Sequence, residues 1–142
     1  MTRPAIRTEI AMSDFPAIAH VAVTVNDLAV STAWYERLVG SAPVLDEDTD
    51  NGFHHTVFLI GGTLLGLHAH PATTGNETFS EFRCGLDHIG FGCADRAALT
   101  TWEQRLDELG IAHGGIVDAH YGSGLSFRDP DGIALEFFAP PA

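Results

Sequence analysis

At 142 residues and 45% hydrophobic content, the chain carries enough apolar side chain for the core of one domain. It has seven arginines, no lysine and a formal net charge of −12, so phosphate backbones and anionic lipid surfaces are repelled, which argues against nucleic-acid and membrane partners. No apolar stretch reaches the roughly 18 to 20 residues that cross a bilayer, and no apolar region of the secretory kind opens the chain, so a cytoplasmic protein is the default expectation.

Residues 1 to about 15 lack periodicity and end beside Pro16, which predicts a tail or an arm lying on a partner subunit, with Met12 a candidate true start. The domain is expected to occupy residues 16–142. Ile18 to Val25 is apolar and β-branched with His20, Ala22 and Thr24 on one face, the pattern of a half-buried strand. Asp27 caps the helix predicted next, Leu28, Trp34 and Leu38 form its apolar stripe, and Gly40 ends it. The acidic run from Asp46 to Asp50 reads as a solvated loop. Phe53 to Ile60 and Thr63 to His70 read as strands joined by a hairpin at Gly61 and Gly62. A polar stretch at 72–78 links to a second half of similar plan. There a strand at Leu86 to Cys93 precedes a helix from Arg96 to Leu109, capped by Asp95 and ended by Gly110. Strands near Gly115 to Asp118, Gly122 to Arg128 and Ile133 to Phe138 follow, the last two joined by a tight turn at Asp129, Pro130, Asp131 and Gly132.

The two halves are copies. An offset of 68 residues lays His20 on His88, Asp27 on Asp95, Trp34 on Trp102 and Arg37 on Arg105, and the same offset lays His68 on Glu136. Each half, about 17–71 and 86–139, is thus a βαβββ unit with one sheet face to bury and edges to protect, needs met by pairing two units within a chain or across a homodimer. Glu136, between Leu135 and Phe137, stands where a charge needs a partner. His20, His68, His88 and Glu136 therefore form the candidate metal site, a mixed nitrogen and oxygen set suited to Fe, Mn, Co, Ni or Zn. His68 and His70 share a strand face, and the repeat chooses His68 as the ligand. His70 and Tyr121, the latter in the glycine-flanked run HYGSG, are candidate acids, and Glu136 is a candidate base. His54, His55, His113 and His120 are read as residues of turns or weakly patterned segments without a metal role. Cys84 and Cys93, lacking CxxC spacing, are read as plain thiols.

The segments HVAVTVNDLAVSTAWYERLVG, GTLLGLHAH, GLDHIGFGCAD and SFRDPDGIALEFF resemble the vicinal oxygen chelate superfamily, which includes glyoxalase I, the bleomycin and fosfomycin resistance proteins and the extradiol dioxygenases. The resemblance implies an α+β fold of paired βαβββ modules curling into a partly open mixed β-barrel with helices outside. It implies a divalent metal on His20, His68, His88 and Glu136 and a small substrate whose adjacent oxygens chelate it. At His68 glyoxalase I typically has a glutamate, which argues against that activity. The leading expectation is a metal-dependent glyoxalase-like enzyme of lyase or isomerase type. The alternatives are an Fe(II) extradiol-type dioxygenase and a sequestering protein of the bleomycin-resistance type.

Overall fold

The computed structural model describes residues 14–142; the predicted N-terminal arm and the Met12 start fall almost wholly outside them. Eight strands and two helices follow in the order β1 (His20–Thr24), α1 (Leu28–Val39), β2 (Leu45–Asp48), β3 (His54–Ile60), β4 (Thr63–Ala69), β5 (Ile89–Gly92), α2 (Arg96–Leu109), β6 (His113–Ala119), β7 (Gly122–Arg128) and β8 (Ala134–Ala139). They make two four-stranded mixed sheets, ordered β1-β4-β3-β2 and β5-β8-β7-β6, with no closed barrel. In each sheet the first strand of the unit runs parallel to the last, β1 to β4 and β5 to β8, and the remaining pairs are antiparallel.

The helices begin and end where the caps predict. Asp27 and Asp95 accept the backbone N–H of Val30 and Ala98, satisfying one orphan donor at each N-terminus. Gly40 and Gly110 close the C-termini at φ +83° and +71°, a left-handed conformation that glycine adopts without Cβ strain. Helix α1 buries Ser31, Tyr35 and Leu38, and α2 buries Leu99 and Leu106, spacings that hold one helix face against the sheet. Both tryptophans pack on aromatic core. Trp102 stacks on Phe137 at 4.2 Å, and Trp34 reaches from the first unit to Phe127 of the second at 6.3 Å.

One expectation is corrected. The acidic run is not simply loop, because Leu45–Asp48 forms the edge strand β2, and Asp46 and Asp48 hold His54 of β3 at 2.6 and 2.7 Å. These carboxylates raise the His54 imidazole above its ordinary value; His54 and His55 stand on the strand expected at Phe53 to Ile60, and His113, outside the strand expected near Gly115, opens β6. Four exposed residues with three acids lack the apolar alternation by which a strand is recognised.

A buried polar cluster joins the units. The Tyr35 hydroxyl donates to Asp129 Oδ2 at 2.7 Å, and the backbone N–H groups of Asp131 and Ile133 donate to its Oδ1 at 2.9 Å. Beside it, Asn26 donates twice to Asp131 from its backbone and amide. Burial pushes the Tyr35 phenol well up, aided by the Asp129 charge, so it stays a donor; burial also raises Asp129, against the three hydrogen bonds, one from Tyr35 and two from the backbone, that favour its anion. Arg37 donates to the carbonyl of Leu109 and Arg105 to that of Arg37, so repeat-related arginines tie the two helix C-termini together. Replacing Tyr35 by Phe leaves the buried Asp129 without its side-chain donor. Y35F is expected to lose about 1–3 kcal/mol in urea unfolding, and a loss within error would show that the cluster does not hold the units together.

Candidate metal centre

Strand alternation separates core from site. In β1, Val21 and Val23 turn inward while His20, Ala22 and Thr24 stand on the opposite, exposed face. In β4, Leu65 and Leu67 are core, and His68 shares the other face with Gly66. In β8, Leu135, Phe137 and Ala139 are core and Glu136 faces away. The register places Ala22 beside Gly66, so His20 and His68 lie along neighbouring strands of one sheet face.

Two glycines shape that face. A Cβ at Gly66 would meet His68 Nε2 at 3.3 Å, so the His68 ring lies along the strand over the bare glycine, toward the His20 end. A Cβ at Gly124 would meet Glu136 Oε2 at 2.9 Å and its carboxyl carbon at 3.1 Å, so Glu136 leans across from β8 over the bare glycine of the neighbouring strand β7. Phe53 stacks on the other side of His68 at 4.4 Å and fixes its plane. Burial lowers the His68 pKa, helped by the neighbouring His55, His70 and His20, which favours the neutral, metal-binding form of the ring.

His88 immediately precedes β5, and its Nδ1 donates to Asp87 Oδ1 at 2.6 Å, which leaves Nε2 as the nitrogen with a free lone pair. His88 and Glu136 line one cavity of about 490 Å³ together with Glu81, His113, Ser126 and Arg128. The only cation there, Arg128, is taken by Glu81 through two hydrogen bonds of 3.0 Å. Asp87 was not singled out in the sequence, although a carboxylate adjoining a candidate histidine is the signal to look for.

The sequence candidates thus appear as two pairs, His20 with His68 on the first sheet and His88 with Glu136 on the second. Among the described residues no group of three or more His, Cys, Asp or Glu gathers to hold a metal ion within one chain. The residues fit a divalent cation as two half-sites, judged by the glycine cradles and by the carboxylate-oriented His88. His70 lies 5.8 Å from His68, ring to ring. Tyr121 is exposed in the turn between β6 and β7, against His120 at 5.2 Å and stacked toward Phe138 at 6.5 Å, and Phe138 shares the Glu136 face. Both cysteines are free thiols.

Paired βαβββ units, each with its helix on one sheet face and the other face uncovered, define a class of small-molecule-binding proteins. The chain belongs to the glyoxalase/bleomycin resistance protein/dioxygenase superfamily, whose family model matches residues 17–137. It is similar to a glyoxylase/bleomycin resistance protein/dioxygenase domain from Frankia sp. EAN1pec, 32% identical over 90% of this chain and 94% of that one, with a TM-score of 0.77. A glutamate-to-glutamine mutant of a FosX fosfomycin resistance protein from Listeria monocytogenes, solved with Mn(II) and 1S,2S-dihydroxypropylphosphonic acid, shares the fold at 18% identity, a TM-score of 0.65 and coverage of 89% of this chain and 94% of that one. A Bacillus subtilis protein named "Putative ring-cleaving dioxygenase MhqA" is 33% identical over 51 residues, which is 36% of this chain and only 16% of that protein. No helix among the described residues is long and apolar enough to cross a membrane.

The Glu136 cradle is testable. In Gly124→Ala the new methyl strikes the end of a flexible side chain, so the strand holds and the carboxylate moves. Co(II) affinity is expected to fall about tenfold or more with the fold intact, and unchanged affinity in a calorimetric titration would refute the cradle.

Proposed function

We propose that this protein is a divalent-metal-dependent enzyme of lyase or isomerase type, acting on a small substrate with adjacent oxygens, and that its metal site assembles between two copies. The observation that carries this reading is the division of the donors into two pairs, one on each sheet, with His68 and Glu136 each lying over a glycine and neither pair sufficient alone. His20 of β1 and His88 before β5 lie at the open edges of the two sheets, and the apolar side chains of Ile18 and Leu86 beside them are exposed. A second copy covers those edges and sets His20 and His68 of one chain against His88 and Glu136 of the other. FosX with Mn(II) supports a cation in this fold.

The bound cation supplies Lewis-acid polarisation of the substrate oxygens. The chain's own groups do the rest. His68, held flat between Phe53 and Gly66, and His88, aimed by Asp87, orient the donors. Glu136 accepts a proton where substrate takes its place, and His70 or Tyr121 returns one. Every described arginine is already engaged, with Arg37, Arg83 and Arg105 on backbone carbonyls, Arg96 on Asp118 and Arg128 on Glu81. With no lysine in the chain, the substrate is one of low negative charge.

The match to the B. subtilis protein favours a second reading, an Fe(II) extradiol-type dioxygenase on His20, His88 and Glu136. Oxygen uptake with catechol by the Fe(II)-loaded protein distinguishes the two.

Complementation tests the shared site. A protein lacking His20 and His68 and another lacking His88 and Glu136 are each expected to bind no Co(II). Mixed after mild unfolding and refolding, they are expected to regain binding, because one of the two junctions in the mixed dimer is intact. No recovery, with dimers confirmed by sedimentation, would refute assembly between copies; a wild-type protein that binds no divalent cation would refute the metal reading itself.

A further inference from the structure

One row of side chains crosses the whole first sheet. The register sets Thr24 beside His68, His68 beside His55 and His55 beside Glu47, so β1, β4, β3 and β2 each contribute one member on a common face. His68 belongs to the proposed metal site, whereas His55 and Glu47 have no role in it. Yet the His55 side chain is only 17% accessible, and its ring meets His68 edge to face at 5.6 Å. Phe53 packs on both rings, 6.1 Å from His55 and 4.4 Å from His68, so one aromatic wall positions the pair.

The polar contacts of His55 are incomplete. Its Nε2 stands 3.5 Å from Glu47 Oε1, a long contact, and its other ring nitrogen has no hydrogen-bond partner among the described residues. Among the described residues no buried side-chain nitrogen or oxygen lacks a partner, so this free ring nitrogen reaches solvent and takes its partner from there or from a ligand. Thr56 and Phe58, the alternate residues of β3, are buried on the helix side, so His55 cannot find that partner in the core. Its ring opens onto the face where His68 points.

The geometry points to His55 as a further substrate-contacting residue, hydrogen-bonding a small oxygen ligand held at His68, with Glu47 as the positioning residue that sets the imidazole plane. This rests on the metal reading above. The substrate it fits carries a hydroxyl or N–H group beside its chelating oxygens, because an imidazole nitrogen recognises such a group and a hydrocarbon there leaves the nitrogen unpaired.

Acetohydroxamic acid, a small chelator with adjacent oxygens and an N–H, is the probe. Its titration into Co(II)-loaded dimer is followed by visible absorption. Wild-type protein is expected to bind it, and His55→Phe to bind it about tenfold more weakly, the size of one lost hydrogen bond. The Co(II) spectrum before the probe is added stays the same in both. His55→Gln, which retains a hydrogen-bonding group, recovers most of the affinity, and Glu47→Gln loses only a few-fold. Equal affinity in wild type and His55→Phe would overturn the assignment while leaving the metal site standing. Wild-type protein that takes up no Co(II) overturns the metal reading, and this inference with it. Should His55→Phe fail to fold, the ring-nitrogen resonances of His55 in Zn(II)-loaded, histidine-labelled wild type decide. A shift on adding acetohydroxamic acid supports contact, and resonances that stay in place overturn it.

Discussion

Successive strand residues point to opposite sides, and every other feature of this molecule follows from that constraint. Leu65 and Leu67 go down into the core, and so His68 comes up; Leu135 and Phe137 go down, and so Glu136 comes up. Each helix covers one face of its sheet, which satisfies the apolar half of the pattern and leaves the polar half uncovered. A charge between Leu135 and Phe137 is therefore no defect in a core strand. It is the exposed phase of an alternation whose buried phase holds the sheet to α2.

The interactions between the units are of a different kind. They run through α1 and the turn after β7, where Tyr35, Asp129, Asn26 and Asp131 share a hydrogen-bond cluster, and through Arg37 and Arg105 at the helix ends. None of these contacts lies on the faces that carry His20, His68, His88 and Glu136. A chain locked in this way keeps the face of His20 and His68 separate from the face of His88 and Glu136, and among the described residues no group of three or more such side chains gathers within one chain.

Glycine does the positioning that a larger residue would prevent. His68 lies along its own strand over Gly66, and Glu136 leans across to Gly124 of the neighbouring strand β7; in each case the position beneath has no Cβ. Phe53 completes the arrangement on the first sheet by stacking on the His68 ring and flanking His55 and His70.

Much of this was legible in the sequence. Asp27, Gly40, Asp95 and Gly110 mark the helix ends because capping is decided within a few residues, and the hairpin at Gly61 and Gly62 and the turn at 129–132 are local for the same reason. The 68-residue repeat, and the pairing of His68 with Glu136, are also properties of the chain alone. Strand β2 was missed, since an acidic edge strand has no buried face to impose alternation, and His55, though on an expected strand, was given no role because its cross-strand neighbours, His68 and Glu47, come together only in the folded sheet. The sequence by itself determined which side chains belong to which strand face. Only the tertiary structure decided which faces meet, because the distance between two sheets is set by packing between residues far apart in the chain, here Tyr35 with Asp129 and Trp34 with Phe127.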